Sequence, residues 1–149
     1  MTRETEFAAY LRADASLPAL VPGGIYADRD LTVAGVTDAA QTPAVWAGGS
    51  FNACIVIREA AVVPQYRVMD EAEQLVDVAQ RLEVYIYALT AVAVVAIAKR
   101  VFAITQGHHF DDAYAATFQP GLGLMDAPNL MDVHMQRDDY LLVSLRQPA

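Results

Sequence analysis

Hydrophobic positions in this chain recur with two periods, and blocks of each period alternate along the sequence. Phe7, Tyr10 and Leu11 fall at helical spacing, with Thr2, Arg3, Glu4 and Arg12 left for solvent, which predicts a helix from about Glu4 to Ala13. Ser16-Leu17-Pro18 puts a capping residue ahead of an early-helix proline, so a short helical turn through Leu20 is expected. Pro22-Gly23-Gly24 breaks the chain before a brief strand, Ile25-Tyr26-Ala27. Asp28 to Thr42 shows no period and reads as loop. Pro43 to Ala47 (PAVWA) and Ala53 to Arg58 (ACIVIR) read as strands joined in a hairpin through Gly48-Gly49-Ser50. The nearly continuous apolar content of the second predicts burial on both faces.

Two periods compete between Tyr66 and Ala79. Val68, Ala72, Leu75, Val76 and Ala79 fit a helix, whereas Val76, Val78, Leu82, Val84, Ile86 and Ala88 lie on alternating positions. The alternating series is longer and runs into β-rich residues, which favours a strand from about Leu75 to Ala88. Gln65 to Gln74 then becomes an acidic loop or hairpin tip, with Asp70, Glu71 and Glu73 facing water. Thr90 caps a second helix, Ala91 to Thr105, whose Val94, Ile97, Ala98, Val101 and Phe102 make one wide apolar face. Gly107 ends it. Tyr114 to Phe118 is a strand, Pro120-Gly121-Leu122-Gly123 a turn, and Leu130 to Met135 an alternating strand. Arg137-Asp138-Asp139 reads as a turn or kink before a closing strand from Tyr140 to Leu145.

Composition narrows the picture. A chain of 149 residues with 55% hydrophobic content suits one globular domain spanning 1–149 and argues against disorder. Ten Lys plus Arg against 18 Asp plus Glu give a net charge of −8, and the longest basic cluster is Lys99-Arg100. Gripping nucleic acid by its phosphates needs clustered positive charge, so that function class is disfavoured. The N-terminal stretch has no continuous apolar core and does not read as a signal peptide. Val84 to Ala98 is shorter than the ~20 residues of a membrane span and starts as a strand.

Candidate chemistry is thin. Cys54 is the sole cysteine and sits in a predicted apolar strand, where a small buried thiol is the plain reading. His108-His109-Phe110-Asp111-Asp112 has ligand residue types, but adjacent histidines diverge on a regular backbone and only His134 remains as a further histidine. Those residues read as a solvated loop after a helix end. Asp111-Asp112 and Asp138-Asp139 read as turn formers rather than a catalytic pair. Gly121-Leu122-Gly123 lacks the third glycine and following helix of a dinucleotide fingerprint, and Trp46, Tyr85 and Tyr87 lack the basic neighbours of base-stacking platforms. No catalytic, cofactor-binding or metal-binding residue is therefore nominated, and no cofactor is expected.

The succession of an N-terminal helix, LPALVPGGIYAD, PAVWA, ACIVIRE, then RLEVYIYA followed by the helix AVVAIAKRVF resembles the tail-terminator, or tail-completion, proteins of long-tailed phages. The likeness runs from about Phe7 to Gly107. It implies an α+β fold with a mixed, mostly antiparallel sheet packed by two helices. It further implies a hexameric ring that caps the tail tube and joins it to the head through a neck connector protein. Such a subunit would be made in the host cytoplasm and sit in the virion at the head-proximal end of the tail, with DNA crossing the lumen without specific binding. Another neck subunit, a head-closure or adaptor protein, is the alternative, followed by a small α+β enzyme or ligand-binding domain. Asp28 to Thr42, Gln65 to Gln74 and Pro120 to Asn129 are the expected contact segments.

Overall fold

The computed structural model describes residues 3–32, 35–60, 63–70, 73–110, 114–128 and 130–144. Chain order runs α1 (Arg3–Arg12), α2 (Leu17–Leu20), β1 (Gly24–Ala27), β2 (Cys54–Glu59), β3 (Val63–Asp70), β4 (Glu73–Ala88), α3 (Ala91–Thr105), β5 (His109–Phe110), β6 (Tyr114–Pro120), β7 (Met125–Asp126) and β8 (His134–Ser144). One sheet takes all eight strands in the order β1-β2-β4-β8-β6-β5, with β3 on β4 and β7 on β8. Among the described strands only β1 and β2 are parallel, so the class is the expected α+β with a mixed, mostly antiparallel sheet.

Alternation along β4 divides the molecule into two layers, because successive strand side chains point to opposite faces. Leu82, Val84, Ile86 and Ala88 enter a helix-side core with Ile55 and Ile57 of β2 and Tyr140 and Leu142 of β8. Helix α1 adds Phe7, Ala8 and Leu11 to that core, and α3 adds Val94, Ile97, Ala98 and Val101. Each fully buried side chain of this size contributes roughly 2 kcal/mol. On the opposite face Cys54, Val56, Tyr85, Tyr87 and Met135 meet a cover of irregular chain carrying Val36, Val45, Trp46, Phe51, Ala127, Leu130 and Val133. Burial of Cys54, Ile55, Val56 and Ile57 bears out the two-sided burial expected of β2.

Both main helices lie where the pattern put them. Thr90 caps α3, its hydroxyl accepting from the Ala93 N–H at 3.1 Å, and Gly107 at φ 77° turns the chain out of the helix. For α2 the capping group differs from expectation. Ser16 makes no side-chain cap; the Asp14 carboxylate accepts from the Leu17 N–H at 2.8 Å and the Ser16 N–H at 3.2 Å. Arg100 of α3 donates twice to the same carboxylate, at 2.7 and 3.0 Å, locking the α1–α2 corner to α3. That guanidinium, the leading cause, holds the Asp14 carboxyl well below the usual carboxylate range.

Several expectations are corrected. Pro43 to Ala47 is a turn, not a strand, so no hairpin forms around Gly48-Gly49-Ser50. Asn52 explains it: its amide donates to the Ala44 and Ala47 carbonyls, and its N–H bonds Val45, folding the segment onto itself. Of the two alternatives for Gln65 to Gln74, loop or hairpin tip, the second holds: its described residues are the distal part of a β3–β4 hairpin, and β4 begins at Glu73 rather than Leu75. Arg137-Asp138-Asp139 does not bend the chain; β8 runs straight through it. Leu130 to Val133 precedes the strand, where Asp132 takes φ 59°. His109-Phe110 pairs as β5, whereas the Asp111-Asp112 part of that expected loop lies outside the described residues.

Glu4, expected in water, is buried. Its carboxylate accepts from the Arg29 N–H and Nε, at 3.2 and 2.8 Å, and from the Glu59 N–H at 3.0 Å, tying α1 to the ends of β1 and β2. Arg12 stays exposed as expected, and its Nε donates to the Ile25 carbonyl at 3.0 Å. Periodicity sees only the apolar stripe of α1, so it misses polar side chains recruited to satisfy backbone groups.

Two outcomes follow from this packing. Val84→Asp and Ile97→Asp each place an unpaired carboxylate in a dry core at a cost of several kcal/mol, comparable with total stability. Neither variant should show a cooperative melt by circular dichroism; a normal melt for either contradicts the packing of α3 on β4. Glu4→Ala strands the Glu59 N–H, while the half-exposed Arg29 guanidinium turns to water, and should cost about 1–2 kcal/mol in urea unfolding, with a loss below about 0.5 kcal/mol counting against the clamp.

Candidate functional site

The structure distributes the chemically suggestive residues rather than gathering them. Cys54 is fully buried on β2, and burial pushes its thiol up to about 12, so at neutral pH it is a protonated, inert side chain. Arg58 lies on the order of 13 Å further along the same strand and does not activate it. His108 stacks on Tyr10 with ring centroids 4.1 Å apart and meets the edge of Phe110 at 4.6 Å, a packing role at the end of α3. His134 lies across the molecule on β8, its Nδ1 3.9 Å from the Asp126 carboxylate. Among the described residues no group of three His, Cys, Asp or Glu side chains converges as a metal site would require.

Asp138 and Asp139 are neighbours in sequence and strangers in space, because consecutive strand residues face opposite ways. Asp138 borders the helix-side core opposite Val84, with the Gln136 amide donating at 2.9 Å. Burial raises its pKa, and the Gln136 bond only partly offsets that. Asp139 lies on the other face directly across from Glu83. Arg137, on the same face as Asp139, donates to Asp139 and reaches Glu83, both at 3.0 Å, bridging two buried carboxylates that would otherwise repel. No turn forms at Pro120 to Gly123, contrary to expectation: Pro120 ends β6 and the chain continues past this cluster, where a Cβ at Gly121 would stand 2.4 Å from the Arg137 carbonyl. Gly121 therefore serves close backbone approach, and the Leu122 carbonyl accepts from the Arg137 N–H at 3.0 Å. Trp46 donates to the Val36 carbonyl at 2.7 Å and packs edge-on to Phe51, while Tyr85 and Tyr87 sit half-buried beneath the same cover.

What the surface does offer is apolar area. Val92 is 81% exposed, and Val95, Phe102 and Leu89 stand out beside it. Helix α3 is thus apolar on its outer side as well as its inner side and carries no acidic residue in its first turn; a helix apolar all round is normally covered all round. The sequence held that signal, since Val92, Val95 and Ala96 interleave with the buried series, but the inner stripe alone satisfies a helix on a sheet. No helix among the described residues is long and apolar enough to cross a membrane. A second exposed apolar group, Leu122, Leu124, Met125 and Met131, flanks β7.

The three segments expected to make contacts differ in character. Among its described residues, Asp28 to Thr42 packs Leu31, Val36 and Thr42 into the subunit and leaves Asp28 to Asp30, Thr32, Thr37, Ala39 and Ala40 exposed. Gln65 to Gln74 belongs to a ribbon in which residues 73–78 of β4 pair with β3 alone, while β8 and β2 join β4 only from Ala79 and Leu82 onward. Pro120 to Asn129 holds most of the second apolar group.

Comparison with protein-family models finds no match, and none is found among curated proteins. Among solved structures the chain is similar to a chain of the virion of a native gene transfer agent (GTA) particle, with a TM-score of 0.60 at 15% identity over 95% of this chain and 93% of that one. At that identity the likeness establishes a shared fold.

The Asp138 environment sets a testable pH dependence. A carboxyl whose folded pKa lies above its unfolded value opposes folding when ionised, and that penalty disappears as pH falls below the unfolded value of about 4. Asp138→Asn keeps an acceptor for Gln136 and removes the charge. The variant should unfold at higher urea than wild type at pH 7, with the two converging near pH 3.5; an unchanged or lower midpoint at pH 7 contradicts the burial penalty.

Proposed function

We propose that this chain is a structural, non-catalytic subunit of a phage-like particle, acting over residues 1–149 as one domain. Its task is to form a ring that terminates the tail tube and presents a surface to the head-side neck proteins. The observation that carries the reading is the fold likeness, nearly end to end, to a chain of a virion. The succession of elements that resembles tail terminators supports it from the sequence side. Two physical features agree. Apolar surface on α3 and beside β7 suits a subunit that is covered by neighbours in its working state. A net charge of −8 gives a lumen no general attraction for phosphates, as passage of DNA requires.

The β3–β4 ribbon is the element best placed to reach a partner. Its outer half rests on two-stranded pairing, which is marginal in isolation and gains from a surface to lie on. Removing Gln65 to Gln74 leaves the rest of β4 paired with β2 and β8.

Electron microscopy of the purified protein, alone and with tail tubes, tests the reading. Closed rings on one end of each tube, in few copies per particle at the head-proximal end of the tail, are expected. Copies along the whole tube or in the capsid shell contradict it, and attachment only to heads would make the chain a neck subunit instead. Deleting Gln65 to Gln74 should leave a cooperatively folding protein that no longer caps tubes; normal capping by that variant removes the ribbon from the proposal.

A further inference from the structure

The two exposed apolar groups differ in charge, and they occupy separate parts of the subunit surface. On α3 the positions Val92, Val95, Ala96 and Lys99 follow helical spacing along the outer face, with Phe102 beside them. Lys99 is the only charge on that stripe, and no acidic residue occurs anywhere in α3. The β7 flank carries Leu122, Leu124, Met125 and Met131 together with the fully exposed carboxylate of Asp126 and the exposed Asp132. No Lys or Arg occurs from Pro120 to Gln136. Helix α3 packs in the helix-side core, whereas Ala127, Leu130 and Val133 of the β7 flank pack in the core across the sheet. The inner face of α3 is the one that packs on the sheet, so its outer face points away from β7 and is not covered by the β7 flank of its own subunit.

We propose that they cover one another between subunits: the outer face of α3 seats on the β7 flank of the next copy of this chain. This rests on the ring reading above and names the contact that closes it. Pairing each group with itself brings Lys99 towards Lys99, or Asp126 and Asp132 towards their own copies, and like charges across an interface select against that arrangement. The mixed pairing sets Lys99 against the two aspartates around an apolar centre. Methionines suit the receiving side, since an unbranched thioether chain conforms to the ridges of a helix. A contact between two different surfaces is head-to-tail, and repetition about an axis closes it into a ring.

Cross-linking and charge reversal test the pairing. A Val92→Cys, Met131→Cys double variant treated with a short bis-maleimide should give a covalent ladder ending at the ring, while each single variant gives none; buried Cys54 does not compete. Lys99→Glu alone, and Asp126→Lys with Asp132→Lys, should each weaken assembly by about tenfold or more, and combining all three should restore it. Mass photometry reads the assembly and thermal melts confirm that each variant is folded. Intact wild-type rings with no mixed cross-link and no response to charge reversal overturn the pairing and leave the ring reading standing. A dimer cross-linked from Val92→Cys alone overturns it by showing α3 against α3. A wild type that stays monomeric even with tail tubes overturns both readings.

Discussion

Everything in this molecule takes its register from β4. A strand of 16 residues can alternate only one way, and once Leu82, Val84 and Ile86 point to the helices, Glu83, Tyr85 and Tyr87 are fixed on the other side. Strands β2 and β8 inherit that assignment by direct pairing. A slip of one residue would drive Glu83 into the core beneath α3 and expose Val84. The same constraint explains why the far face is built of unlike parts. Near β1 it is apolar and covered by irregular chain; towards β3 it turns into the Glu83–Arg137–Asp139 cluster, where a single guanidinium reconciles two carboxylates.

That second face separates what was legible in the sequence from what was not. Strong period-matched elements, α1, β2, β4 and α3, stand out because burial against a sheet or a helix stripe writes a regular pattern. The segment around Pro43 to Ala47 misleads because its hydrophobic residues serve a cover rather than a strand, and covers have no period. Arg137-Asp138-Asp139 misleads for a different reason. Three polar residues in a row look like a turn, yet on a strand two of them meet a partner on one side of the sheet and the third, Asp138, meets Gln136 on the other. Polar residues that satisfy one another across strands are invisible to a one-dimensional reading. Glu4 and Asp14 belong to the same class: both look like surface acids, and both act as clamps between elements.

The surface was legible only in part. Pro120 to Asn129 has the composition of a loop, and the exposure of Leu122, Leu124 and Met125 within it shows only in the fold. The outer stripe of α3 hid behind the inner one. Cys54, His108 and His134 occupy three separate settings, the buried strand β2, a stack on Tyr10 and the strand β8.

The position of β8 has a consequence for how the subunit comes into being. It lies between β4 and β6 in the sheet although its residues, 134–144, are made last among the described strands. During synthesis the long edge of β4 therefore has its β2 neighbour early and its β8 neighbour late. Until residue 134 leaves the ribosome, an extended row of unpaired backbone groups stays open to any passing strand. Two subunits emerging side by side could satisfy one another there before either is finished. Quick arrival of β8, or a chaperone shielding that edge meanwhile, becomes part of what a cell must provide to obtain this protein in a usable form.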